Sequence, residues 1–383
     1  MRRLPDAVRG LYRVPFLLTI SPQSNDLLDR IRYLAQFRQR PVTLKQLLEL
    51  GSSPSSDALL VAAQFLHQEL PVRLAHRVIE LESLPFGLAE MPSIRLLRDM
   101  YIDSTRELME FPRPELPSDD MSYVQTIDGI KRRHSSVVPL MATGVLELKR
   151  LIGADALSPR IQEFLDRFFM SRIGIRMLIG QHVALHQPPS PGFAGLICAE
   201  CSPAAVARDA MADARHLCEL RYGVAPEVGV FGKSDLVFPY LPSHLHHMLF
   251  ELLKNSMRAV VELHGADAAP LPMVRVALAE GQEDVTIKIS DEGGGIPRSG
   301  IPQIWTYLYT TAEPPEFDSD SSSRSDFRAP LAGLGYGLPL SRLYARYFGG
   351  DLQIISMEGY GTDAYLHLKR LGDAREVLPR KLH

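Results

Sequence analysis

Along the first half of the chain, apolar residues recur at the three-to-four-residue spacing of amphipathic helices; along the second half, runs that alternate apolar with polar join them. Leu27, Leu28, Ile31 and Leu34 form one helical stripe, and Leu44, Leu47 and Leu48 begin another. From Asp57 to Leu81 the apolar positions run through Pro71, which predicts a helix bent there. Ser93 is the expected cap of a helix through Leu108, closed by the proline-rich stretch Phe111 to Pro117. Two long amphipathic stretches follow, Met121 to Leu151 and Pro159 to His186. Long helices with short connections predict an antiparallel four-helix bundle over residues 1–187.

Three prolines within Gln187 to Gly192 cannot continue a helix and mark a boundary. Beyond it, Gly195 to Ala199 has strand length, and Ser202-Pro203 opens a helix to about Arg221. Val228 to Phe231, Met273 to Leu278, Val285 to Ile289, Asp351 to Ser356 and Ala364 to Lys369 read as further strands. Val285, Ile287 and Ile289 alternate with polar residues, the period of a half-buried strand. The expected architecture is two-domain α+β, with the helical bundle followed by an α/β sandwich with a mixed sheet over 192–372 and a short tail over 373–383.

The chemistry concentrates in the helix from Leu241 to Leu263, expected to start after a Pro242-Ser243 cap. At about 100° per residue, Leu245, Met248, Leu249, Leu252, Val260 and Leu263 share a core face. His247, Glu251, Lys254, Asn255 and Arg258 form a second stripe, equally usable on an ordinary solvated face. Downstream, Asp291-Glu-Gly-Gly-Gly-Ile-Pro297 ends a strand, where an aspartate can accept from an amino group and glycines let backbone approach a ligand. Gly333-Leu-Gly-Tyr-Gly-Leu-Pro339 then leads straight into a helix, as phosphate-binding loops do. The polar stretch Pro314 to Asp326 before it reads as a lid rather than the strand that a dinucleotide fingerprint requires.

Composition narrows this little. A formal net charge of -3 gives no reason to expect a nucleic-acid partner, and no run approaches the length of a membrane span. Three cysteines are too few and odd in number for a disulfide framework, and Cys198-x-x-Cys201 has no second pair to complete a zinc site. Arg2, Arg3, Arg9 and Arg13, opposed only by Asp6, read as the remnant of a basic targeting peptide broken by Pro5 and Pro15. His244 and His247 share a helical face, but no third metal ligand is evident.

Read together, the helix with Glu251 and Asn255, the Asp291 glycine turn, the serine-rich lid, the glycine run from Gly333 and a further Gly359-Tyr-Gly-Thr362 box resemble the GHKL ATP-binding fold of histidine kinases, type II topoisomerases, Hsp90 chaperones and MutL. His247-Met-Leu-Phe-Glu-Leu-Leu-Lys-Asn-Ser-Met-Arg-Ala259 looks like the N-box of the mitochondrial kinases that act on 2-oxo acid dehydrogenase complexes. Gln68 to His76, Arg133 to Pro139 and Phe164 to Leu178 extend that resemblance through the helical half.

The resemblance implies a serine kinase of the mitochondrial matrix that uses ATP and Mg²⁺, with K⁺ as a candidate further ion. Its substrate would be the decarboxylase component of a 2-oxo acid dehydrogenase complex, and it would dock on the lipoyl domain of the acyltransferase core as a homodimer. Glu251 would be the general base, tuned by His247, and Asn255 would hold Mg²⁺ with Lys254 and Arg258 adding positive charge. Asp291 would read adenine, with Gly293, Gly295, Gly333, Leu334, Gly335, Tyr336, Gly337, Leu338 and Thr362 lining the nucleotide. Tyr101, Ser104, Lys131, His134 and Arg172 match a pocket for small-acid inhibitors, although Lys131 stands where arginine is usual. Phe37, Leu44 and Leu48 match a lipoyl-domain pocket in which leucines replace phenylalanines. The chain stops at His383 without the tryptophan-bearing tail of the pyruvate dehydrogenase kinases, its one tryptophan being Trp305, while Tyr240 to Phe250 and Met357 to Asp363 look more like the pyruvate type. A branched-chain substrate is the alternative, and a non-catalytic ATP-binding scaffold docking on lipoyl domains is the rival of another class.

Overall fold

The computed structural model describes residues 26–52, 54–153, 158–268, 270–309 and 335–379. The basic N-terminus, the stretch read as a lid, Gly333 and Leu334 lie outside the described residues. The chain divides into two compact units, the first taking in Gln46–Leu196 and the second Thr43–Lys45 with Ile197–Val377.

The first unit is helical. Its elements are α1 (Leu27–Leu34), α2 (Leu44–Ser52, whose first two residues belong to the second unit), α3 (Ser56–Glu82), α4 (Pro92–Glu110), α5 (Pro117–Arg133), α6 (Val137–Ile152) and α7 (Pro159–Leu185). Helix α3 runs unbroken through Pro71 and is buried over most of its circumference. It carries charge into that core, so each charge needs a partner. Glu69 accepts from Arg73 Nε at 2.8 Å and from the Arg40 backbone N–H at 2.9 Å, and Glu80 takes Arg77 and, at 3.0 Å, Arg167.

Two expectations fail here. Helix α4 begins at Pro92 with Met91 at its cap, and Ser93 instead donates its hydroxyl to Glu147 at 2.8 Å. The stretch from Met121 to Leu151 is two helices, parted by a turn of 3₁₀ helix at His134–Ser136. Pro139 falls at the third position of α6, where its missing N–H costs no intrahelical bond.

The second unit holds β1 (Ile197–Cys201), α8 (Pro203–Tyr222), β2 (Val228–Gly232), β3 (Phe238–Tyr240), α9 (Pro242–His264), β4 (Val274–Glu280), β5 (Asp284–Asp291), β6 (Asp351–Met357) and β7 (Gly361–Lys369), with α10 (Gly337–Tyr347) preceding β6. Ser202 caps α8 as expected, its hydroxyl accepting from Ala205 N–H. Strand β3 is too short for its alternation to be read in the sequence; it pairs antiparallel with β1. The main sheet runs β2-β4-β5-β7-β6, with β2 parallel to β4 and the other pairs antiparallel, hence mixed. One face is apolar: Val274, Val276, Leu278, Val285, Ile287, Ile289, Leu352, Ala364, Leu366 and Leu368 are all buried. Residues 373–377 are not a free tail. Tyr347 donates to the buried Glu376 at 2.6 Å, and Val377 N–H bonds the Tyr347 carbonyl.

Helix α9 buries Leu245, Met248, Leu249, Leu252 and Val260 as its spacing predicts. It starts at Pro242, two residues earlier than a Pro242-Ser243 cap would allow, with Leu241 as an uncapped N-cap. Leu263 departs from the core stripe: it lies in the last turn and is 54% exposed. Leu249→Ala should therefore cost about 2–5 kcal/mol of stability, and Leu263→Ala less than about 0.5 kcal/mol. Urea denaturation of the two variants side by side checks the contrast.

Candidate active site

Strand parity creates the first feature of the site. Period two places Asp291 on the same face as Val285, Ile287 and Ile289, so a carboxylate is delivered to the core beneath α9. Burial raises its pKa, and three donors pull it back down: Ser256, Gly293 and Thr362. Ser256 Oγ donates to Oδ2 at 2.7 Å; the backbone N–H groups of Gly293 and Thr362 donate to Oδ1 at 3.0 and 3.3 Å. Thr362 is the register partner of Asp291 on β7, which is why its N–H is at hand. Oδ2 keeps a lone pair for one further donor, such as a ligand amino group. Ser256, a small polar residue on the buried side of α9, was not singled out in the sequence, although a polar residue between Leu253 and Met257 was the available signal.

The glycines after Asp291 bend the chain beneath the β6–β7 hairpin. Gly294 donates to the Tyr360 carbonyl at 3.1 Å and accepts from Gly359 N–H at 2.8 Å. Gly295 has φ +70°, and a Cβ there would collide with the Met357 carbonyl, so only glycine fits. Ile296 N–H donates to Ser356 Oγ, which also lies 3.0 Å from Thr362 Oγ1.

One helical turn apart on α9, His247 and Glu251 present the imidazole and carboxylate of the polar stripe, and Asn255 follows one turn later. The His247 ring packs edge-on to Tyr344 at 5.0 Å, and His244 does the same at 4.7 Å, so the aromatic ring and not a metal organises that pair. The Glu251 carboxylate, 14% exposed, takes both of its oxygens to Lys254 Nζ, at 2.8 and 2.7 Å. It also lies against Gly337, the first residue of α10, where any Cβ would overlap Oε2. An anion at a helix start is stabilised by the free N–H groups there.

Lys254 thus serves Glu251, and Arg258 pairs along the helix with Glu262 at 3.4 Å. Glu262 in turn accepts from Tyr222 at 2.7 Å. The Asn255 amide is half-buried and, among the described residues, makes no hydrogen bond. Gly335 and the buried Tyr336 lead into α10, the ring of Tyr336 tilted against Tyr307 at 5.2 Å, with Leu338 half-buried in its first turn. Cys198 and Cys201 are free thiols, and burial pushes Cys201 up to about 12.

In the helical unit, Tyr101, Ser104 and His134 do come together. The rings of Tyr101 and His134 stand 4.5 Å apart, Ser104 Oγ is 2.9 Å from His134 Nε2, and Arg133 donates to the same hydroxyl at 3.0 Å. Burial, with Arg172, Arg133 and Arg176 near by, lowers the His134 pKa to about 3; burial raises Tyr101 to about 12. Both groups are neutral at pH 7, and Arg172 and Arg176 supply a field suited to a small anion. Arg176 was not singled out, although it lies one turn from Arg172 on the same face of α7; it donates to the Lys131 carbonyl at 3.3 Å. Phe37 and Leu48 are half-buried, whereas Leu44 is buried beside Gly372 and offers no exposed docking surface.

Asp291 thus lies buried at a strand end under a helix whose Asn255 amide makes no hydrogen bond among the described residues, and Gly337 opens α10 against Glu251. Residues 240–371 match the family model described as histidine kinase-, DNA gyrase B- and HSP90-like ATPase, so the second unit is an ATP-binding domain of that class. Residues 41–198 match the model described as mitochondrial branched-chain alpha-ketoacid dehydrogenase kinase. The chain is 51% identical over 354 residues to the mitochondrial pyruvate dehydrogenase (acetyl-transferring) kinase of Arabidopsis thaliana, covering 92% of this chain and 96% of that protein. It is 38% identical to the Schizosaccharomyces pombe kinase of the same name, over 92% and 98% of the two chains. Identity to isozyme 3 of Homo sapiens is 43%, over 91% and 88%. The chain belongs to the pyruvate dehydrogenase kinase family.

The depressed His134 pKa carries a sign that can be checked. The unfolded chain binds a proton at this residue below about pH 6.5 while the folded one does not until about pH 3, so His134 lowers stability as pH falls through that window. At about 1.4 kcal/mol per pH unit, His134→Gln should recover about 2 kcal/mol of the stability lost between pH 7 and pH 5. Urea titrations of both proteins at the two pH values measure it.

Proposed function

We propose that this protein is a protein serine kinase that uses Mg-ATP to phosphorylate, and so inactivate, the decarboxylase component of the pyruvate dehydrogenase complex in the mitochondrial matrix. The observation that carries this reading is 51% identity across 92% of the chain to a kinase named for that reaction. The intact polar stripe of α9 speaks against a non-catalytic scaffold.

In this reading Asp291 accepts a hydrogen bond from the exocyclic amine of adenine through the free lone pair on Oδ2, and the backbone around Gly293, Gly295, Gly335, Gly337 and Thr362 lines the nucleotide. Residues 333 and 334 complete the glycine run. The Asn255 amide oxygen, having no protein partner among the described residues, fits Mg²⁺, a hard cation that keeps most of its shell as water and phosphate oxygen. Such an ion neutralises phosphate charge when bound. Arg258 adds positive charge beside Asn255.

Glu251 is the general base. The serine hydroxyl gives its proton to Glu251 as its oxygen takes the γ-phosphoryl group of ATP and ADP leaves. Lys254 and the start of α10 hold the Glu251 carboxylate in place, and His247, packed on Tyr344, tunes it from one turn away. In the helical unit, Tyr101, Ser104, His134, Arg172 and the non-standard Lys131 form a regulatory pocket for a pyruvate-like acid. Phe37 and Leu48 contribute to docking on the lipoyl domain of the acyltransferase core. A second copy of the chain pairs through the C-terminal sheet, whose edge strand β6 exposes Ile355 and Met357.

Transfer of labelled phosphate to purified pyruvate and branched-chain decarboxylase components, each with lipoyl domain present, tests the reading: the pyruvate component alone should be labelled. Labelling of the branched-chain component alone would reassign the substrate, and labelling of neither would remove the kinase reading. Glu251→Gln should lower the transfer rate by about 10²–10⁴-fold, the usual contribution of a positioned base, with nucleotide affinity kept. Asn255→Ala should abolish Mg-ATP binding in titration calorimetry.

A further inference from the structure

Among the described residues, one group of metal-ligating side chains stands assembled away from the nucleotide site. Asp120, in the first turn of α5, is 3% exposed. His182 and His186 lie four residues apart where α7 ends, so their rings share one face. His182 Nε2 is 2.9 Å from one Asp120 oxygen, and His186 Nε2 is 2.9 Å from the other. One ligand atom from each residue lies within 4.8 Å of the others.

The hydrogen bonds around this group are not complete as they stand. His186 Nδ1 is 2.9 Å from the His182 carbonyl, which can only accept, so Nδ1 carries the proton. In a neutral ring Nε2 then faces the Asp120 carboxylate lone pair to lone pair, and a cation must sit between them, either a second ring proton or a metal. His182 Nδ1 is buried with no hydrogen-bond partner among the described residues. Tyr123, one turn along α5 and fully buried, likewise has a hydroxyl without a hydrogen-bond partner among the described residues, and burial and then the charge of Asp120 push its pKa up.

We infer that Asp120, His182 and His186 form a zinc site that ties the first turn of α5 to the end of α7. Two imidazoles and one carboxylate suit Zn²⁺, whereas Mg²⁺ and Ca²⁺ call for an all-oxygen set. Three protein ligands leave one position of a tetrahedral ion open for water or another donor. The His186 Nδ1 bond to a backbone carbonyl is the outer contact that orients a ligating imidazole and keeps Nε2 for the metal. The ion takes the place of the protons held between the carboxylate and the rings: His186, protonated on both nitrogens, releases one, and the neutral His182 ring keeps its proton by moving it to Nδ1. This inference is independent of the phosphoryl-transfer reading, since no residue is shared with the nucleotide site.

The test uses the full chain, stripped with chelator and titrated without nucleotide, first with Co²⁺ and then with Zn²⁺. One equivalent of Co²⁺ should bind with the intense visible bands of tetrahedral cobalt, and Zn²⁺ should displace it and raise the thermal midpoint. His186→Gln, at a half-buried position that tolerates the change, should weaken binding by more than the roughly 10–100-fold that loss of an outer partner causes. Asp120→Asn should do the same. A Cys198→Ser, Cys201→Ser double variant should bind as the parent does. Absence of stoichiometric binding, parent-like affinity in both His186→Gln and Asp120→Asn, or loss of binding in the cysteine variant would each overturn the site, the first in favour of a protonated Asp–His clamp.

Discussion

The burial of one carboxylate sets the shape of the nucleotide domain. Asp291 occupies the core face because strand β5 is half-buried and its residues alternate; no smaller adjustment would expose it without slipping the whole strand. A buried charge has to be met by donors, and each donor recruits a different element. Ser256 draws α9 onto the strand, Thr362 requires β7 in its observed register, and Gly293 requires the chain to turn at once. The glycine turn then clamps the β6–β7 hairpin. Specific recognition of an amino group and correct assembly of helix, sheet and turn are thus served by the same few bonds.

A second charge is handled differently. Glu251 is mostly covered, and its two oxygens are held by Lys254 and by close approach to the start of α10. Here the absence of a side chain at Gly337 matters more than any group that is present, because the carboxylate fills that space. The polar stripe of α9 therefore sorts itself into distinct roles in the fold. Lys254 and Arg258 are engaged by Glu251 and Glu262, His247 packs on Tyr344, and the Asn255 amide stands open.

The helical unit solves a related problem by neutrality. Its long α3 buries arginines only in company with Glu69 and Glu80, and His134 stays uncharged because burial and neighbouring guanidinium groups both oppose its protonation. Arg172 and Arg176 add positive potential around Tyr101 and His134.

Much of this was legible in the residues in order. The core stripe of α9, the mixed strands and helices of the second half, the Ser202 cap and the glycine runs follow from local periodicity and backbone freedom, which depend on neighbours along the chain. Local reading failed where a longer-range partner decided the outcome. Ser93 left its cap for Glu147, 54 residues away. Leu263 kept helical phase with the core but stayed exposed in the last turn of α9, and Leu44, read as a docking residue, was buried against Gly372. Ser256, Arg176 and the Asp120–His182–His186 group acquire meaning only through residues distant in sequence. Sequence alone determined which segments are helix or strand and which residue types were available for chemistry, because those follow from local spacing. Only tertiary structure decided which of them meet, because a side chain's partner and burial are set by packing between elements.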